Sequence, residues 1–250
     1  MRFEGKVAVV TGAGQGIGAH YAQALAAEGA AVVIAEINQA QGEAVAKEIC
    51  EAGGKAIFAR TDVSSEESAR AAIAATVAEF GGVDYLINNA AIYATMVRAP
   101  WMEVDWEYYR KFMAVNMDGA LIMTRAVHSS MAERGGGVIV NQSSTAAWGL
   151  AGFYGLAKLG INGLTVSLAK ELGSKNIRVN AISPGPTGTD ATHAMVSAEQ
   201  MNALLATMPL KRMGTTQDIV NSCLFLLSDE ASWVTGQIWC VDGGAVLRPA

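Results

Sequence analysis

Val7-Ala8-Val9-Val10-Thr11-Gly12-Ala13-Gly14-Gln15-Gly16-Ile17-Gly18 is the stretch that decides the fold. Its first five residues form a short, continuous apolar run, which suits a strand buried on both faces, as in a parallel sheet. Glycine then recurs at every second position from Gly12 to Gly18. An alanine-rich amphipathic segment follows and stops at Gly29. Strand, glycine-rich turn and helix start together predict a phosphate cradle. Gly12, Gly16 and Gly18 permit the tight turn and close backbone approach, with Gln15 and Ile17 between them. The helix N-terminus offers free N–H groups and a partial positive charge to a pyrophosphate.

Working outward, Ala31 to Ala35 reads as a second buried strand, ended by Glu36. Glu36 follows Gly18 at close to the interval of ~20 residues expected of a ribose-binding carboxylate. Its two oxygens can accept from the adenosine ribose hydroxyls, and they would repel the 2′-phosphate of NADP. Neither Gln15 nor Ile37 supplies a compensating cation, so the cofactor reads as NAD rather than NADP. A polar helix over Gln39 to Ala52 and a strand over Lys55 to Arg60 lead to Asp62-Val63. Asp62 either accepts from the adenine amino group or caps the next helix. Ser64 and Glu67 have the spacing of a capping box for that helix, which reaches Phe80.

Val83 to Ile87 is the fourth strand, ending in Asn88-Asn89-Ala90-Ala91. Asparagines there can bond neighbouring backbone, and small residues leave room for a ribose at the edge where ligands sit in open α/β sheets. A helix from about Asp105 runs past Arg125 and carries Asn116, a poor helix former whose plain reading is a buried, bonded amide. Gly137 to Asn141 is the fifth strand, with Ser143-Ser144 at its end. Ile177 to Ile182 is the sixth and runs into Pro184-Gly185-Pro186-Thr187-Gly188-Thr189. Residues 186–208 read as a mobile substrate flap with a short helix, where Ser197 and Gln200 have capping-box spacing. Asp218 to Leu227 is helical, and a last strand and turn follow at Trp239 to Gly244. Strands alternate with helices throughout. The fold class is therefore α/β, a doubly wound, Rossmann-like parallel sheet of about seven strands in a single domain over 1–250.

Tyr154-x-x-x-Lys158 opens a plausible helix, and residues four apart share one helical face. The Lys158 ammonium can then sit beneath the Tyr154 phenol. A free tyrosine, with a pKa of about 10, is a poor base near neutrality. A nearby positive charge lowers that value and turns Tyr154 into a usable proton acceptor. Tyr and Lys four apart occur on many helices by chance. What lifts this pair is its company: Ser144, Asn89 and Pro184 all lie just past strand ends and should converge on one sheet edge.

Taken together, these ordered motifs resemble the short-chain dehydrogenase/reductase family over essentially the whole chain. Thr11-Gly12-x-x-x-Gly16-Ile17-Gly18 is similar to its cofactor signature, and Asn88-Asn89-Ala90-Ala91 to its Asn-Asn-Ala-Gly. Asn116, Ser144, Tyr154 and Lys158 resemble its catalytic tetrad. Pro184-Gly185 with Thr187 and Thr189 resembles its nicotinamide-side loop. The spacer between Ser144 and Tyr154 is shorter than is usual in the family. The resemblance implies reversible oxidation of a secondary alcohol to a ketone. Tyr154 would exchange the hydroxyl proton, Ser144 would hold the substrate oxygen, and Lys158 would bind the nicotinamide ribose. Asn116 would hold a water that relays protons from Lys158. It also implies a homotetramer built on the helices near 105–132 and 154–173 and on the apolar C-terminal strand.

Composition narrows the partners. A hydrophobic share of 51% supports a large core, and a net charge of −5 argues against general nucleic-acid or anionic-membrane binding. Cys50, Cys223 and Cys240 form no metal or CxxC pattern, and His20, His128 and His193 show no ligand spacing. A reduced, cytoplasmic setting without a metal is expected. So is the absence of a leader peptide, and no apolar run is long enough to span a membrane. Tyr93, Met96, Trp101, Trp148, Phe153, Met195 and Met201 are candidate wall residues for an apolar cyclic or aromatic substrate. A second reading is reduction of a 3-oxoacyl thioester on a carrier protein. The NAD reading and the acidic charge count against it, because an acidic carrier needs a basic docking patch. A third reading is a dinucleotide-sensing protein without chemistry, which would be expected to have lost part of the tetrad.

Overall fold

Seven strands pair in parallel: β1 (Val7–Thr11), β2 (Ala31–Glu36), β3 (Lys55–Arg60), β4 (Tyr85–Asn88), β5 (Gly137–Gln142), β6 (Ile177–Pro184) and β7 (Ile238–Val241). Their spatial order is β3-β2-β1-β4-β5-β6-β7. The computed structural model describes residues 1–149 and 151–247. The chain steps outward from β1 to β3, then returns to the other side of β1 at β4. That reversal leaves a crevice at the carboxyl ends of β1 and β4, where ligands bind in sheets of this kind.

Side chains alternate across the sheet as the two-residue strand period requires. Val10, Ile34, Ile87, Val140 and Ile182 pack on one face against α1 (Gly16–Ala27), α2 (Gln39–Glu51) and α10 (Thr216–Leu227). Val9, Val33, Leu86, Ile139 and Val179 pack on the other against α3 (Glu66–Phe80), α5 (Gly119–Glu133) and α7 (Gly152–Leu172). Both faces are covered, which explains why the strands read as continuous apolar runs.

Some local expectations shift. Ser64 and Glu67 do not form the capping box. Ser65 caps α3 by accepting from the Ser68 N–H at 3.2 Å. Ser64 is drawn instead to Asp62 Oδ1, through its N–H at 2.9 Å and its hydroxyl at 2.6 Å. The helix predicted from Asp105 is interrupted. After α4 (Trp106–Met113) comes one π-helical turn, Ala114–Asp118, before α5. Residues 186–208 hold two helices rather than one, α8 (Asp190–Met195) and α9 (Ala198–Thr207), and the Ser197–Gln200 capping box forms. A second such box, Thr215 with Asp218, starts α10 two residues earlier than predicted. Among the described residues no helix is long and apolar enough to cross a membrane.

Candidate active site

The glycine turn is held in place by Glu36. Its Oε2 accepts the Gly14 N–H at 3.1 Å, and its Oε1 accepts the Ile37 and Asn38 N–H groups at 2.9 and 3.0 Å. A Cβ on Gly14 would lie 2.9 Å from Glu36 Cγ and 2.9 Å from Gln41 Cβ, so only glycine allows this approach. A Cβ on Gly18 would strike the Gly12 carbonyl and the Asn89 amide. Asn89 Nδ2 ties the turn to the end of β4 by donating to the Thr11 and Gly12 carbonyls, both at 3.0 Å. The Asn89 and Ala90 N–H groups bond Thr11 Oγ1 at 3.0 and 3.1 Å.

This turn fits a dinucleotide. Gln15 stands at the N-cap of α1 without a side-chain capping bond, and α1 has no acidic residue in its first turn. The Gln15 side chain accepts from Gln41 Nε2 instead, at 3.2 Å. The first-turn N–H groups of α1 are thus left to an anion, whereas α2, α3, α4, α8, α9 and α10 are each capped by a side chain.

At the end of β5 the two adjacent serines have different surroundings. Ser143 is buried, and its hydroxyl donates to Asn162 Oδ1 at 2.6 Å. Ser144 Oγ accepts the Ala146 N–H at 3.1 Å and lies near enough to the Tyr154 phenol to pull its pKa down. The short turn of α6 (Ala146–Gly149), which carries Trp148, and the Thr145 N–H bond to the Pro184 carbonyl at 3.0 Å fold the spacer back. The shortened segment therefore still brings serine and tyrosine together.

Lys158 is 3% exposed, and its ammonium donates to the Gln142 main-chain carbonyl at 2.8 Å. It lies 5.9 Å from the centroid of the Tyr154 ring. Burial lowers Lys158 to about 8. Burial pushes the Tyr154 phenol well above its ordinary range, against a downward pull from nearby Ser144, and Tyr93 adds to the rise. The Tyr154–Lys158 spacing predicts a phenol brought down by the lysine. In the chain alone, desolvation outweighs that effect, because the ammonium is spent on a carbonyl and lies toward the ring face.

Asn116 sits in the π-helical turn. Its Oδ1 accepts the Ile92 N–H at 2.7 Å and its Nδ2 donates to the Ile92 carbonyl at 3.0 Å. The amide is thus bonded to the loop after β4 and not to Lys158. Asn116 and Lys158 nevertheless line one small cavity with Thr11, Val63, Asn88 and Gln142. Its volume of about 10 Å³ is roughly that needed for one water.

The remaining candidates are more scattered. Asp62 Oδ1 serves Ser64. Gly185 bonds Val241, Thr187 Oγ1 bonds the Gly185 carbonyl at 3.0 Å, and Thr189 caps α8. The Tyr93 ring lies 5.4 Å from that of Tyr154. Phe153 is 4% exposed and sits at the centre of an aromatic cluster with Trp101, Tyr108, Tyr109 and Phe112. It also forms one wall of an open cleft of about 310 Å³, with Met96, Arg98, Ala99, Pro100 and Gly152. Met201 is buried, and the Met195 carbonyl accepts from Arg98 Nη2 at 2.8 Å. Arg98 and Gln142 were missed in the sequence. The signal for Arg98 was there: it is the one basic residue between Ile92 and Trp106.

A family model described as enoyl-(acyl carrier protein) reductase matches residues 12–246. The chain belongs to the short-chain dehydrogenase/reductase family. It is 58% identical over 246 residues to an uncharacterized oxidoreductase of Mycobacterium tuberculosis, covering 98% of this chain and 99% of that one. A 3-oxoacyl-[acyl-carrier-protein] reductase of Chlamydia muridarum is 38% identical over 96% of both chains. A solved structure of 7 alpha-hydroxysteroid dehydrogenase, complexed with NADH and 7-oxo glycochenodeoxycholic acid, superposes with a TM-score of 0.92. It is 36% identical and covers 99% of this chain and 96% of its own. This short-chain dehydrogenase/reductase is thus an oxidoreductase of the class that uses a nicotinamide dinucleotide on a small-molecule substrate.

Proposed function

We propose that the protein interconverts a secondary alcohol and a ketone with NAD, on an apolar, cyclic or aromatic substrate. The observation that carries this reading is the Lys158 ammonium of α7, buried against the Gln142 carbonyl at the end of β5 and 5.9 Å from the Tyr154 ring, with Ser144 near the phenol. The dinucleotide supplies hydride transfer when bound. Gly12, Gln15, Gly16, Ile17 and Gly18 would hold its phosphates, and Glu36, Ile37, Asp62 and Val63 its adenosine end. Asn89, Ala90, Lys158, Pro184, Gly185, Thr187 and Thr189 would line its nicotinamide half.

Ser144 holds the substrate oxygen where charge develops, and Tyr154 exchanges the proton there. Burial keeps Tyr154 protonated, so in reduction the phenol is a ready donor. In oxidation it must first give up its proton, which rising pH favours. Lys158 and the cavity it shares with Asn116 provide a route for that proton. Tyr93, Trp148, Phe153 and Met195 bound the substrate side, and 186–208 acts as its flap.

The bulky alicyclic ketone in the related hydroxysteroid dehydrogenase supports the substrate class. NAD is supported by the carboxylate of Glu36 at the glycine turn. The Chlamydia relative favours a second reading, 3-oxoacyl thioester reduction. A spectrophotometric screen of NAD and NADP against cyclic, aryl and aliphatic alcohols and a 3-hydroxyacyl thioester decides between them. Turnover with NADP and the thioester alone would overturn the first.

One domain spans the chain in this reading, and a cytoplasmic homotetramer is proposed for it. Exposed Leu159 and Val166 on α7 and Trp239 on the edge strand β7 suit subunit contact. A monomeric mass in light scattering would refute the tetramer.

A further inference from the structure

We infer that the substrate carries a carboxylate remote from its reacting carbon, and that Arg98 binds it. The inference rests on reading the site as an alcohol/ketone centre and specifies its substrate. The open cleft lined by Phe153, the residue before Tyr154, is otherwise walled by Met96, Ala99, Pro100 and Gly152, all without charge, and by Arg98 alone among charged residues. Its volume of about 310 Å³ lies within the range of small-molecule sites. Met96 and Tyr154 both pack on the cluster of Phe112, Phe153 and Ala157, so one apolar cluster joins the cleft to the candidate proton donor.

Arg98 has capacity to spare. One N–H, from Nη2, goes to the Met195 carbonyl at 2.8 Å and joins the loop after β4 to α8. A guanidinium has five donors, so this tie leaves most of them available. Among the described residues no carboxylate lies within ion-pair distance of Arg98. Tying a loop to a helix end needs only a neutral donor. An unpaired cation on an otherwise apolar wall instead suits an apolar body that ends in an anion, and a planar guanidinium matches a carboxylate with two parallel bonds.

The test is calorimetric binding of an oxocyclohexyl-alkanoic acid and of its methyl ester to the protein with NADH, for the native chain and for Arg98→Gln and Arg98→Ala. The acid should bind the native chain about tenfold more tightly than the ester, as one charge-assisted contact allows. Arg98→Gln keeps a neutral, hydrogen-bonding side chain but has no charge. It should bring acid and ester level while leaving ester affinity unchanged. Equal affinities in the native chain would overturn the inference. So would an acid preference that survives in both variants. Arg98→Ala weakening acid and ester alike would show a loop tie only and would also overturn it. Turnover of unsubstituted cyclohexanol with NAD, followed separately, tests the alcohol/ketone reading, so either idea can fail without the other.

Discussion

Ser144 lies near enough to the Tyr154 phenol to pull its pKa down, although only nine residues lie between them. The contact needs the spacer to double back at once. One turn of α6 and the Thr145–Pro184 backbone bond achieve this. Ser143, its neighbour, points the other way. Just past the end of β5, one serine is held by Asn162 of α7 and the next lies by the phenol.

The two serines should therefore separate in mutagenesis. Ser144→Ala is expected to lower kcat on a cyclic alcohol by about tenfold to a thousandfold, with little change in unfolding midpoint. Ser143→Ala leaves buried Asn162 Oδ1 without its donor. It should cost about 1–3 kcal/mol of stability and leave kcat per folded molecule close to native. Urea unfolding and steady-state rates on both variants check this, and exchanged phenotypes would mean the serines are misassigned.

Tyr154→Phe removes the hydroxyl and little else. NAD affinity should stay within a few-fold, and turnover should fall by about two to four orders of magnitude, the usual share of a positioned acid or base. In the native enzyme the raised phenol predicts a directional pH profile. Oxidation should speed up as pH rises through the alkaline range, because the base form must be made. Reduction should not gain. Initial rates in both directions across pH test this, and an oxidation rate that is flat with pH would remove Tyr154 as the base.

Some of this was legible in the sequence and some was not. The sheet could be read because a strand covered on both faces must be apolar throughout, and Val7–Thr11 and Ala31–Ala35 are. The glycine turn could be read because backbone clearance leaves only one residue type. The π-helical turn at Asn116 could not, because it depends on the amide finding Ile92, 24 positions away. The direction of the Tyr154 shift was hidden for a related reason. A four-residue spacing puts a lysine near a tyrosine, but burial depth and the claim of Gln142 on that lysine are tertiary facts.

Glu36 has both a structural and a selective part. Three backbone N–H groups bond its two oxygens, leaving about one of the roughly four lone-pair sites of a carboxylate for a ribose hydroxyl. Glu36→Ala should relax discrimination against NADP by about tenfold or more in kcat/KM. It should also cost about 1–3 kcal/mol, because Gly14, Ile37 and Asn38 lose their acceptor. Kinetics with both cofactors, beside an unfolding curve, separate the two effects. Unchanged selectivity would take Glu36 out of the ribose site.

Lys158 links function to stability through pH. Burial lowers it from the ordinary 10.5 to about 8 in the fold. Below pH 8 it is protonated in both folded and unfolded chains, and burying the charge carries its full cost, on the order of 3 kcal/mol. Between about pH 8 and 10.5 the unfolded chain holds the extra proton. Stability from this group therefore rises with pH across that window. Above about pH 10 the buried phenols of Tyr21, Tyr85 and Tyr154, all raised, act in the opposite sense, because the unfolded chain then loses protons first. Lys158→Met removes the buried charge at similar volume and also abandons the Gln142 carbonyl, at about 1–3 kcal/mol. At pH 7 the two changes nearly cancel or leave the variant slightly more stable, while catalysis is lost. The decisive reading is the slope: native urea midpoints should climb between pH 8 and 9.5, and those of Lys158→Met should climb less. Parallel curves would mean that the lysine keeps its ordinary affinity for the proton, and that desolvation is not the dominant force on it.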